Sequence, residues 1–140
     1  MPGFVIDASA ALPWRFEDEA TSWTEALLDR VQGGEEVRVP AHWPLEVANT
    51  LLMARRRGRV TAGQISEFIG DLAALPIRIE PPSDPKEWPA ILALAETHRL
   101  TAYDAAYLEL VQRTGLPLAT LDGDLRKAAQ AEGVELVAEA

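Results

Sequence analysis

The sequence predicts an α/β fold with a central, mostly parallel five-stranded sheet surrounded by helices. Three observations carry this. Strand-sized apolar runs occupy residues 3–6, 37–39, 77–79, 116–119 and 134–137. Between them lie stretches with helical periodicity, and parallel neighbours need crossovers of a dozen or more residues. The 140 residues contain no internal repeat and no linker-like tract. We therefore expect a single domain over 1–140, burying about two-thirds of the surface that its unfolded chain exposes.

Taken in order, the first strand ends abruptly at Asp7, and a helix over Glu19 to Val31 stops at Gly33–Gly34. After the second strand, Pro44 opens a helix whose Leu45, Ala48, Leu51 and Leu52 share a face, and Gly58 closes it. Thr61 and Gln64 form a capping box for a helix to Ala74, so the second crossover holds an αα-hairpin. Asp84–Pro85 reads as a cap before an N1 proline, and Thr101 with Asp104 as a second box. Asp124 to Glu132 is the last helix, before a fifth strand at Val134 to Val137.

Composition narrows the chemistry. There is no cysteine, which excludes thiol nucleophiles, zinc ribbons and iron–sulfur clusters. There are only two histidines, His42 and His98, far apart in the chain, so a histidine-based metal site or triad is poorly supplied and the chemistry falls to carboxylates. A formal charge of −9 argues against nucleic-acid binding by global charge. No apolar run approaches the ~20 residues of a membrane span, and the N-terminus lacks signal-peptide features, so a cytoplasmic location is expected.

In an open α/β sheet, sites form beyond the carboxyl ends of the strands. Asp7 follows the first strand there and Asp122 the fourth, while Glu46 and Asp104 lie in first turns of helices that point back to the same rim. Asp124 is a fifth candidate. Singly, each could be a helix cap or a first-turn acid complementing a dipole. Four carboxylates brought within ~5 Å would repel by about 3 kcal/mol per pair at an effective dielectric of about 20, so a cation is expected among them. All-oxygen donors suit Mg²⁺ or Mn²⁺, and such a site supports phosphodiester hydrolysis by metal-activated water.

VIDASAALPWRFEDE, VPAHWPLEVANTL and LTAYDAAYLELVQRTGLPLATLDGDLRKAA together resemble the four motifs of a PIN domain, more narrowly of VapC-type toxins of toxin–antitoxin pairs. The resemblance spans essentially the whole chain. It implies a three-layer α/β/α fold, a Mg²⁺- or Mn²⁺-dependent endoribonuclease, a small cognate antitoxin of the VapB type, and a homodimer. By motif position it makes Asp7, Glu46, Asp104 and Asp122 the catalytic acids, with Asp7, Asp104 and Asp122 as metal ligands. It gives Ser9 and Thr120 hydrogen-bonding roles, makes Asn49 a holder of the Asp7 or Glu46 carboxylate, and leaves Asp124 auxiliary. An inactive PIN-like interaction module is the alternative. A receiver or haloacid-type phosphatase fits poorly, because Ala8 and Ser9 follow Asp7 where those folds carry further acids.

Arg55, Arg56, Arg57 and Arg59 are the one basic concentration. They read either as a phosphate-contacting edge or as cations complementing a helix C-terminus about 14 to 20 Å from Glu46. Trp14 and Trp43 could stack a base or meet the antitoxin, against an expectation that the four tryptophans are mostly core. Tyr103 and Tyr107 read as part of an apolar helix face.

Overall fold

The computed structural model describes residues 3–138. Strands β1 (Phe4–Ile6), β2 (Val37–Val39), β3 (Ile77–Ile79) and β4 (Leu118–Ala119) form one parallel sheet in the order β3-β2-β1-β4. Phe4, Val5 and Ile6 are all fully buried although neighbours on a strand face opposite ways, so both faces of the sheet are covered. Gly3 leads into β1 because a Cβ there would lie 1.9 Å from the Glu36 carbonyl oxygen.

Among the described residues, seven α-helices connect and follow the strands: α1 (Ala8–Ala11), α2 (Ser22–Gln32), α3 (Trp43–Arg56), α4 (Ala62–Ala73), α5 (Trp88–His98), α6 (Ala102–Thr114) and α7 (Gly123–Ala131). The reciprocal Thr61–Gln64 box starts α4 as expected. The α6 box is half made: Thr101 Oγ1 accepts the Asp104 N–H at 3.1 Å, and the carboxylate does not return the bond. Gly115, at φ +72°, takes the left-handed conformation that ends α6.

Two expectations are corrected. The fifth strand is not one: residues 134–137 contribute a single parallel bridge, Leu136 to Leu118, with the Val137 N–H donating to the Leu118 carbonyl. One bridge past a two-residue β4 is too little ladder to make a strand. Nor does Asp84–Pro85 cap α5. Asp84 accepts the Lys86 N–H at 2.7 Å and closes a turn, and the helix starts at Trp88 with Pro89 in its first turn. Lesser shifts leave Glu19 in a 3₁₀ turn ahead of α2, which begins after Thr21.

Candidate active site

The acids gather where the chain leaves the C-terminal ends of β1 and β4. The Asp7 N–H donates to the Ala119 carbonyl at 3.2 Å, which fixes the end of one strand against the other. Asp7 then caps α1: its Oδ1 accepts from Ser9 Oγ at 2.7 Å and from the Ala10 N–H at 3.2 Å. Its Oδ2 accepts from Thr120 Oγ1 at 2.6 Å. Thr120 is fully buried and also accepts the Asp122 N–H at 3.0 Å, while Ser9 Oγ accepts the Leu121 N–H at 2.9 Å. Ser9 and Thr120 thus bond both Asp7 and the backbone of residues 121–122, stitching the first motif to the last.

Asp122 is the N-cap of α7, its Oδ1 accepting from the Asp124 N–H at 3.1 Å. Asp104 stands at the third position of α6. Glu46, in the first turn of α3, accepts a 2.5 Å hydrogen bond from the Tyr107 hydroxyl through Oε1, with His42 Nε2 at 3.7 Å. His42 packs its ring on Tyr103 and Tyr107, centroids 5.5 and 5.4 Å away. Cap and cluster are thus compatible: Asp7 and Asp122 serve helices while facing one rim.

The carboxyl groups respond to burial first and to one another second. Burial above all, then the charge of Asp122, raises the Asp7 carboxyl to about 6 against hydrogen bonds from Thr120, Ser9 and Ala10 that favour the anion. Asp104 is also raised, by burial first and then by Asp122 and Glu46, with His42 and Thr101 opposing. Tyr107 is driven far up by burial, by its bond to Glu46, and by the charges of Glu46, Asp7 and Asp104, so it stays a proton donor.

The closeness expected from the sequence needs correction. Among the described residues no three His, Cys, Asp or Glu side chains converge as a metal-holding group. Like charges separate where local donors can satisfy them, and Ser9, Thr120, Tyr107 and the α7 amides do so here. The donor set still fits a hard divalent cation in its chemistry, being anionic oxygen throughout, and the hydrogen bonds just described engage Asp122 through Oδ1 and Glu46 through Oε1.

The remaining candidates fare unevenly. Asn49 is exposed and bonds neither carboxylate; Tyr107 holds Glu46 instead. Asp124 is exposed beside the cap. Trp43 is only 4 % exposed, and Trp14 is half-buried with its indole N–H on the Thr24 carbonyl at 2.9 Å, so both belong to the packing. Arg59 pairs with Asp18 and Glu19 at 3.0 and 3.1 Å and lies over the Phe16 ring, whereas Arg55, Arg56 and Arg57 are exposed. Tyr107 is the residue whose bond to a candidate acid the sequence did not reveal. Its signal was the three-residue spacing from Asp104, which puts both on one helix face.

The PIN domain family profile matches residues 4–131. The chain is 34% identical over 144 aligned residues to Ribonuclease VapC12 of Mycobacterium tuberculosis, covering 96% of this chain and 98% of that protein. It is 31% identical over 121 residues to Ribonuclease VapC3 of Pyrobaculum aerophilum, covering 86% and 90%. The fold is similar to the crystal structure of PAE2754 from Pyrobaculum aerophilum, with a TM-score of 0.69, 22% identity and coverage of 91% and 84%. It is also similar to Mycobacterium tuberculosis VapC20, a sarcin-ricin loop cleaving toxin, with a TM-score of 0.61, 19% identity and coverage of 98% and 100%. The chain belongs to the PIN-domain family, and its relatives above 30% identity are VapC ribonucleases.

Proposed function

We propose that the protein is a divalent-metal-dependent endoribonuclease, the toxin of a toxin–antitoxin pair, with Asp7, Glu46, Asp104 and Asp122 as its catalytic acids. One contrast supports this most. The other buried acids, Glu35, Glu80 and Glu109, each face an arginine: Arg30, Arg38 and Arg113 respectively. Asp7 is as buried, and its hydrogen bonds among the described residues come only from hydroxyls and a backbone amide. A carboxyl kept in that setting next to Asp122 is arranged for a ligand rather than for stability.

Asp7, Asp104 and Asp122 would hold Mg²⁺ or Mn²⁺. When bound, the ion supplies charge neutralisation and acidification of water for attack on a phosphodiester. Ser9 and Thr120 orient Asp7, and Tyr107 keeps Glu46 at the rim.

RNA is the substrate, and a VapB-type antitoxin the partner. An apolar groove of about 680 Å³ between α3, α4 and β3, with Leu52, Ile69 and Ile79 exposed along it, supports a protein partner there, and the acid rim supports a basic antitoxin segment. No helix among the described residues is long and apolar enough to cross a membrane. A cytoplasmic homodimer completes the reading, and sedimentation tests the dimer. The decisive experiment is sequencing of RNA 5′ ends after induction in cells. New ends made by the native chain and not by Asp7→Asn support the reading, and their appearance with both ends it.

A further inference from the structure

We propose that a concavity beside the acid rim, between the starts of α5 and α6, binds one unpaired nucleobase of the RNA; this rests on the ribonuclease reading and specifies how the strand is held. The cavity is about 300 Å³, and His42, Trp88, Ile91, Leu92 and Tyr103 form most of its wall. Trp88 is 53% exposed, Leu92 55% and Tyr103 65%, so two aromatic rings stand at the surface of a chain that buries its other tryptophans more deeply. The Trp88 indole N–H is tethered to the Ser83 carbonyl at 3.3 Å, which holds the ring in place.

The occupant follows from chemistry and position. No Lys, Arg, Asp or Glu lines the cavity, so it suits a flat, uncharged aromatic group rather than a phosphate. It adjoins the acids directly: Tyr103 precedes Asp104, and His42 is shared, touching the Tyr103 ring on one side and lying 3.7 Å from Glu46 on the other. A base seated here puts its own phosphate at the rim. Single-stranded RNA is read in this way, with splayed bases stacked on aromatic rings. A second copy of the chain is a poorer occupant, since the cores of protein interfaces are depleted of charge and this cavity opens beside Glu46 and Asp104.

The test measures binding of mixed-sequence RNA hexamers at low salt by fluorescence anisotropy, in an Asp7→Asn background so that RNA is not cut, with one abasic nucleotide moved through the hexamer. Stacking is worth roughly a 5- to 150-fold change in affinity per base. Tyr103→Ala and Trp88→Ala should each weaken binding by about tenfold, while Tyr103→Phe, which keeps its ring, holds it. An abasic nucleotide at one position should cost the same and add little to Tyr103→Ala, because both remove one contact. Affinity unchanged in both alanine variants, indifference to every abasic position, or no hexamer binding at all overturns the proposal. So does loss of self-association in those variants with RNA affinity intact, which would assign the cavity to a second copy. Absence of cleavage by the native chain would end the ribonuclease reading alone, since the abasic pattern is read without cleavage.

Discussion

The Tyr107 hydroxyl donates to Glu46 Oε1 over 2.5 Å, joining α6 to α3 across 61 positions of sequence. The phenol is buried and the carboxylate one-third exposed, so the tyrosine is the fixed partner and sets where the acid points. Tyr107→Phe removes the bond and little volume. We expect kcat for RNA cleavage to fall about tenfold, since small misplacements of a catalytic group cost up to about 10² in rate. Stability should fall by about 1 kcal/mol. Steady-state kinetics beside urea unfolding checks both; unchanged kcat would leave Tyr107 a packing residue.

Asp7 carries a pH signature. Its folded value of about 6 lies above the ordinary 3.8, so the folded chain holds this proton more tightly than the unfolded one. Stability from this group is complete below about pH 4 and is lost as pH rises through about 6, on the order of 2 to 3 kcal/mol. Asp7→Asn should abolish that slope and be the more stable protein at pH 7.5 in chelator. Urea midpoints between pH 4 and 8 decide it, and a native chain that gains stability over this range contradicts the assignment.

Divalent ions should reverse that penalty. With Mn²⁺ the melting temperature should rise at pH 7.5 and much less at pH 5, where Asp7 is protonated and competes with the ion. Asp104→Asn combined with Asp122→Asn should remove the response, and EDTA should stop cleavage. A melting temperature indifferent to Mn²⁺ at pH 7.5 would favour the inactive interaction module.

Thr120 bridges two acids, donating to Asp7 and accepting the Asp122 N–H. Thr120→Val keeps the shape and leaves buried groups unpaired, so we expect a loss of about 1 to 3 kcal/mol and a drop in kcat. Thr120→Ser should recover most of both. Equal behaviour of the valine and serine variants would show that the hydroxyl is idle.

Much of this was legible in the chain, and the failures have physical causes. Apolar runs ending at Asp7 and shortly before Asp122 announced the rim, because a parallel sheet needs continuous buried strands and sends its acids to their ends. Residues 134–137 carry the same apolar character yet make one bridge, since pairing depends on the neighbour's length, which composition does not encode. Tyr107 read as part of an apolar, packing helix face because its hydrogen bond lies in the last atom of the side chain. Trp88 was expected in the core and lies on a wall, a choice made by where α5 begins. How the acids would share space was beyond sequence altogether: it turned on which hydroxyls and amides each could reach.

The clasp between Ser9, Asp7 and Thr120 joins residues up to 113 positions apart in the chain. A ribosome-bound chain that has displayed Asp7 lacks β4, the strand that pins it, until about 120 residues have emerged, and pairs so distant in sequence close late. Until β4 pairs with β1, Asp7 lacks both the strand and the hydroxyl that hold it. The site is therefore assembled in one late step of folding rather than built up motif by motif.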